Sequence, residues 1–298
     1  AKIESTFTDF TVSIAVDTED NVIVTGSFTD SAVNIYDSTS QLVKHIPQPI
    51  PEPSAEITQS FIVKYSPAGI YQWTAVLFTS GIAVIKSVTT DPNNNIYITG
   101  YYGGQTLTFQ NSDGTDSYSL GANSLTNVFV AAYNYLGFVL WVTMCGNIGN
   151  TVSEQGYNEG LDIKYSPDQT IVVSGYYNTN PLIIYDGPDG LTPSGISLTN
   201  VNNTNINITG NDINTTPDIF LIKFRLNGTA LWATKISGTI TQFNTSVWAS
   251  EFSGISNQFY TTIAIDPDAN IIITGTYNQG PVQIFNTPSG TILSTINL

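Results

Sequence analysis

Three times in this chain a phenylalanine is followed after eight residues by a glycine, and four residues later by a tryptophan. The copies are Phe61–Gly69–Trp73, Phe129–Gly137–Trp141 and Phe220–Gly228–Trp232. A second phrase alternates with the first. Asp17, Asp91 and Asp266 each stand nine residues ahead of a glycine (Gly26, Gly100, Gly275), and Ser166 holds that place ahead of Gly175. An aromatic follows each of these glycines by two: Phe28, Tyr102, Tyr177 and Tyr277. Spacing within a phrase is constant while the gaps between phrases vary. A repeated supersecondary unit with loop insertions has this signature, so the chain is constrained to fold as an array of similar units.

Each phrase reads as a β-hairpin, and helical periodicity is absent. Gly69, Gly137 and Gly228 suit a turn position that needs positive φ. The second strand of the first hairpin carries three apolar residues in a row: Val22-Ile23-Val24, Ile96-Tyr97-Ile98, Ile171-Val172-Val173 and Ile271-Ile272-Ile273. A sandwich strand with one wet face alternates, whereas a continuous run implies burial on both faces. The small sheets of a propeller meet that condition, each being covered by a neighbour on either side. The expected fold is therefore all-β: a propeller of four-stranded antiparallel blades, about four in this chain. A further apolar piece follows each first hairpin ("AVNIYD", "TLTFQN", "LIIYDG", "VQIFNT") and reads as an edge strand or part of a connection.

"SIAVDTEDNVIVTGSF" followed by "FIVKYSPAGIYQW" resembles the beta-propeller repeat called SBBP. Two departures stand out: the third copy lacks the Asp and Asn of the turn, and Ala132 replaces the lysine found at Lys64 and Lys223. The resemblance implies a propeller and a frequent surface location, with no defined activity. The repeats run over residues 8–78, 84–146, 159–238 and 259–298 of a single domain, 1–298, and the terminal blade is incomplete. Two arrangements fit: a window from a longer array, or a small ring closed by the terminal strands. Residues 1–7 and 291–298 are accordingly expected to pair with each other or with another chain.

Composition narrows the function. Eight Lys+Arg against 23 Asp+Glu give a net charge of −15, which disfavours nucleic acid and anionic membranes. No apolar run approaches the roughly 18 residues of a membrane helix, so direct insertion by such a helix is not expected. Few charges, abundant Asn and Thr, and one cysteine point to an extracellular or surface setting, a virion surface included.

The recurrent "DPNNN" and "DPDAN" loops offer oxygens at alternate positions, as a calcium loop does. "DTEDN" spaces them differently and "SPDQT" has lost most of them, so the turn chemistry of Asp, Pro and Asn explains the phrase better. No metal or cofactor is expected. His45 is the only histidine, and Cys145 lies in an apolar strand as a buried small hydrophobe. Neither supports a nucleophile–base pair, and no catalytic residue is assigned. The repeated Trp residues read as packing between blades. Partner contact is instead expected in the long loops, at Tyr157 and above all at Phe243, Trp248, Phe252 and Phe259. The connection from Trp232 to Asp266 takes 34 residues, against 18 from Trp73 to Asp91. Sequons at Asn202, Asn207, Asn214, Asn227 and Asn244 are candidate glycosylation sites.

These features describe a noncatalytic scaffold of a cell-surface, filament or virion assembly that engages protein partners or its own copies. The alternative is a carbohydrate-binding or glycoside-cleaving propeller using loop aromatics and carboxylates drawn from Glu154, Glu159, Asp162 and Glu251.

Overall fold

The computed structural model describes residues 1–5, 9–29, 31–47, 57–121, 125–146, 156–199, 217–238, 261–275, 282–285 and 292–296. Among them the chain is all-β, without a helix. Strand β1 (Lys2–Ser5) comes first. The first unit contributes β2 (Asp9–Val16), β3 (Val22–Thr29), β4 (Val33–Tyr36), β5 (Leu42–Ile46), β6 (Thr58–Tyr65) and β7 (Tyr71–Phe78). The second contributes β8 (Ile82–Thr90), β9 (Ile96–Gly103), β10 (Leu107–Gln110), β11 (Asp116–Leu120), β12 (Thr126–Tyr133) and β13 (Val139–Gly146). The third contributes β14 (Asn158–Ser166), β15 (Thr170–Tyr177), β16 (Leu182–Asp186), β17 (Thr192–Leu198), β18 (Asp218–Arg225) and β19 (Ala230–Gly238). The fourth contributes β20 (Thr261–Ile265), β21 (Ile271–Gly275), β22 (Val282–Phe285) and β23 (Ile292–Ile296).

In the first three units the two phrase hairpins pair side by side, giving the antiparallel orders β2-β3-β6-β7, β8-β9-β12-β13 and β14-β15-β18-β19. The unplaced apolar piece of each unit opens a third hairpin, which crosses to the preceding unit. β4 pairs with β1, β10 with β7, β16 with β13 and β22 with β19. The antiparallel runs that begin at β2, β8 and β14 thus carry four strands of one unit and two of the next, rather than four alone, and a parallel bridge between Thr58 and Ile82 joins the first two runs into one 12-stranded sheet. Alternation explains why the hairpin docks: Leu107 and Phe109 are buried while Thr108 and Gln110 are half-exposed. β1 lies on β4 and β23 on β22, in different sheets, so among the described residues the two terminal segments do not pair with each other.

The two recurrent phrases meet in register. Gly26 faces Phe61, Gly100 faces Phe129 and Gly175 faces Phe220. A Cβ on Gly26 would stand 2.7 Å from the Phe61 ring, and one on Gly175 would stand 2.6 Å from the Phe220 ring. At Gly100 and Gly175 a Cβ would strike the carbonyl oxygen of Val84 or Glu159 on the preceding strand, so glycine recurs where the opposing ring or the neighbouring backbone leaves no room for a side chain.

One part of the apolar core lies within the first unit, where Val33, Ile35 and Ile46 pack with Phe28, Phe61, Val63 and Tyr65 and with Ile3 of β1; the rest lies in seams between successive units. One joins Ile23, Ile62 and Trp73 of the first unit to Ile96, Ile98, Phe129 and Tyr133 of the second. The next joins Tyr97, Val130 and Trp141 to Ile163, Ile171 and Phe220 of the third. The last sets Val172 and Leu221 against Ile263, with Ile271 and Ile273 packed on them.

Candidate functional site

The Asp-turns can be assigned first, because they held the strongest claim to a ligand. The Asp17 Oδ1 atom accepts the amides of Glu19 and Asn21, at 3.0 and 2.9 Å. Asp91 accepts those of Asn93 and Asn95, both at 2.9 Å, and Asp266 those of Asp268 and Asn270, at 3.0 and 2.8 Å. The fourth residue of each turn has positive φ: Asp20, Asn94, Gln169 and Ala269, near 60° in every copy. These carboxylates hold a turn, as the sequence indicated.

The second carboxylate oxygen ties the turn to the sheet. Lys64 Nζ, buried on β6, lies 2.8 Å from Asp17 Oδ2. Burial works to raise the Asp17 carboxyl, yet Lys64 and Asn21 hold it below its ordinary value. In the second unit Ala132 stands where the lysine would, and the Tyr97 hydroxyl opposite it donates to Asp91 Oδ2 at 2.9 Å. In the third unit Ser166 replaces the aspartate, and Lys223 reaches Asp168 at 2.5 Å instead. Each departure from the repeat is thus matched by a compensating residue within the same unit.

The first strands of successive units are also joined. The Val88 amide donates to Ser13 Oγ at 3.3 Å, and Ser87 Oγ donates to Asp162 Oδ1 at 2.8 Å. Asp162 Oδ2 accepts from Thr262 Oγ1 and the Ile263 amide, each at 2.9 Å, and Lys164 Nζ lies 2.7 Å from Oδ1. Burial again opposes ionisation, while Lys164 and these donors keep the carboxyl low. Asp162, one of the four carboxylates considered for glycoside cleavage, therefore clamps three units together.

Glu159 is different. It faces Tyr176 across the β14–β15 pair, where Val84 faces Tyr101 in the second unit. Burial raises its carboxyl, against a Tyr176 hydrogen bond and the attraction of Lys86. Lys86 Nζ sits 5.5 Å from the centre of the Tyr101 ring. The sequence signals for this Lys–Tyr–Glu–Tyr group were a lone acid in an otherwise apolar strand position and the doubled tyrosine after Gly100 and Gly175.

Each interior tryptophan is keyed into the following unit. Trp73 Nε1 donates to the Tyr135 carbonyl at 3.1 Å, and Trp141 Nε1 to the Leu226 carbonyl at 2.7 Å. Both carbonyls belong to turns closed by glycines with φ of +85°. A Cβ on Gly137 or Gly228 would lie 2.9 Å from the Trp73 or Trp141 ring, so glycine serves both the turn and the indole. The corresponding turn of the first unit, Pro67–Gly69, borders a cavity of about 300 Å³ lined also by Ala1, Ile3, Val22 and Val24.

That cavity lies on the leading face of the first unit, which β1, β4 and β5 cover in part: Ile3, Val33, Ile35 and Ile46 pack with Val24, Phe61, Val63 and Tyr65. Among the described residues, one position on this face and one on the trailing face of the fourth unit stay exposed where their counterparts are buried. On the leading face, Ile14 is 60% exposed; the residues at its place in later units, Val88 and Ile163, are 4% and 0% exposed. On the trailing face, Ile272 is 53% exposed, whereas Ile23 and Val172 are fully buried.

A second cavity, about 500 Å³, is bordered by Lys44, His45, Gln59, Phe78 and Gln110. His45 Nδ1 pairs with Asn34 Oδ1 at 2.8 Å. Cys145 is fully buried, and burial pushes its thiol up. Tyr157 is half-buried and joins a bridge with Thr126. Asn227 is exposed in a turn, where its Oδ1 accepts the Thr229 amide. Phe243, Trp248, Phe252, Phe259, Glu154, Glu251, Asn202, Asn207, Asn214 and Asn244 lie outside the described residues.

The SBBP family model, described as a beta-propeller repeat, matches residues 72–101. The match opens at β7 with Trp73, crosses the first interior seam and closes on Tyr101, so it includes the turn of Asp91 and Gly100.

Proposed function

We propose that the chain is a noncatalytic propeller scaffold whose four units are blades and whose outward faces and loops receive protein partners or further copies. The setting is an assembly outside the cytoplasm, such as a cell surface, filament or virion coat. The observation that carries this reading is the exposure of Ile14 and Ile272, each presented at a position whose counterparts are buried in seams. Charge supports it as well. Lys64, Lys223 and Lys235 are buried beside Asp17, Asp168 and Asp218, so the basic surface is sparser than the composition suggests and a polyanion finds little to bind.

Sedimentation velocity over a range of concentrations tests the reading. Association of residues 1–298 should be lost in Ile14→Asp and Ile272→Asp variants that keep the wild-type strand spectrum. A chain that stays monomeric at all concentrations and captures no partner would remove its basis. One observation favours the carbohydrate reading: Glu159 is desolvated beside Tyr176, as a general acid would be. Glycan hydrolysis that disappears in Glu159→Gln would make that reading replace the scaffold.

A further inference from the structure

We infer that the outer edge of β21 docks one extended strand of the type Phe-x-x-Lys-aromatic, taken up antiparallel, with its lysine joined to Asp266. The inference rests on the scaffold reading and specifies what the trailing face receives. Among the described residues β21 pairs with β20 alone. The matching strands β3, β9 and β15 each carry a partner on that edge: β6, β12 and β18.

Those three pairs define the register. The phrase glycine faces Phe61, Phe129 or Phe220. Three residues earlier, Ile23 faces Lys64, Tyr97 faces Ala132 and Val172 faces Lys223. One residue earlier again, Val22, Ile96 and Ile171 face Tyr65, Tyr133 and Phe224. On β21 the same places are Gly275, Ile272 and Ile271.

The chain's own exceptions say which residue the incoming strand carries opposite Ile272. Where the strand offers a tyrosine hydroxyl to the turn aspartate, at Tyr97, the facing residue is Ala132. Where it offers an aliphatic side chain, at Ile23 or Val172, the facing residue is a lysine that pairs with an aspartate of the turn. Ile272 is aliphatic, and Asp266 has the turn geometry of Asp17, with Asn270 Nδ2 on its Oδ2 at 2.8 Å. The fourth unit therefore calls for the lysine type. Ile272 is 53% exposed, and a strand on that edge would lay its lysine beside it as Lys64 lies beside Ile23, while the cover that buries Ile23 and Val172 completely comes from the following unit. Main-chain pairing would give affinity, while the lysine and the Phe–Gly contact would give register.

The test uses a fluorescent peptide of residues 58–67, "TQSFIVKYSP", titrated into residues 1–298 and followed by anisotropy and by amide NMR. The expected result is saturable binding with shifts centred on Ile271–Thr274. Binding should weaken about tenfold, the equivalent of 1.4 kcal/mol, when the peptide lysine is replaced by alanine or when the protein carries Asp266→Asn. Gly275→Val should abolish it, because a side chain there meets the incoming phenylalanine. Thermal melts check that both variants fold. Equal affinity for the lysine and alanine peptides, shifts located elsewhere, or pairing of β21 with β21 of a second copy would each overturn the inference. If the peptide fails to bind while association through Ile14 and Ile272 persists, the docking strand is refuted and the scaffold reading stands.

Discussion

Ile171-Val172-Val173 on β15 and Ile271-Ile272-Ile273 on β21 are nearly the same sequence in opposite surroundings. The first run is completely buried; the second packs Ile271 and Ile273 on the third unit and leaves Ile272 facing outward. A continuous apolar run therefore announces two faces that want cover, and a neighbouring sheet decides whether both receive it. The interior seams also hold keyed indoles and shared carboxylates, whereas Ile14 and Ile272 keep the pattern without a neighbouring unit on them. Substitutions at equivalent positions should therefore differ sharply in effect.

The largest difference is expected at the tryptophans. Trp141 fills a seam and donates to the Leu226 carbonyl, so Trp141→Ala should cost roughly 3–5 kcal/mol. Trp232 is half-buried beside the last unit, and its truncation should cost about half as much. Urea unfolding of both variants measures this, and equal losses would break the comparison.

Next come the first strands. Ile163→Ala in the seam should cost about 2–4 kcal/mol. Ile14→Ala, at the matching outward position, should stay within about 0.5 kcal/mol. A large loss at Ile14 in dilute protein would show that the leading face is covered after all.

The third test is pH dependence. Burial pushes the Asp218 carboxyl up to about 6, and Ser237 and Lys235 offset only part of that. A carboxyl raised above its unfolded value of about 3.9 adds stability that is complete below that pH and lost as pH climbs through about 6. Asp17, held low, has the opposite sign: its contribution is present above about pH 4 and lost in acid. Asp218→Asn should therefore remove a decline on the order of 3 kcal/mol in all, most of it between pH 4 and 6, while Asp17→Asn should destabilise at neutral pH. Melts across that range in both variants check the two signs.

The smallest effect concerns the exchange between Tyr97 and the missing lysine. Tyr97→Phe removes the donor to Asp91 and should cost about 1 kcal/mol. Tyr97→Ile alone should cost more through lost volume. Adding Ala132→Lys to it rebuilds the arrangement of Ile23, Lys64 and Asp17, and should recover part of the loss. A double variant less stable than the single one would show that the units are not interchangeable at this point.

Much of this architecture was legible in the residues. The phrase glycines, the apolar triplets and the turn aspartates each recur because one geometric demand recurs, and the structure meets those demands at Gly26 against Phe61 and at Gly137 under Trp73. The crossing hairpin was not legible. Its outer strands, such as "LVKHI" and "DSYSL", share no phrase and are largely exposed, so little in them is constrained by packing. Nor could spacing show that Asp168 takes over from Ser166, because the substitute lies two residues away and acts through Lys223. Asp162 read as a candidate for glycoside cleavage because its donors, Ser87 and Thr262, stand 75 and 100 residues distant.

The crossing hairpin has a consequence for biosynthesis. β7 ends at Phe78 and its outer partner β10 begins at Leu107, 29 residues later; β19 ends at Gly238 and β22 begins at Val282, 44 residues later. At about 5–20 residues per second, the first of these edges waits roughly 1.5–6 s for its partner to be synthesised and the second roughly 2–9 s. During each interval the outer edge of β7 or β19 is without the strand that pairs with it in the folded chain. The ribosome thus paces the exposure of each sheet edge, and slow codons between Gly238 and Val282 would lengthen the period in which the emerging third sheet is open to a chaperone or to a neighbouring nascent chain.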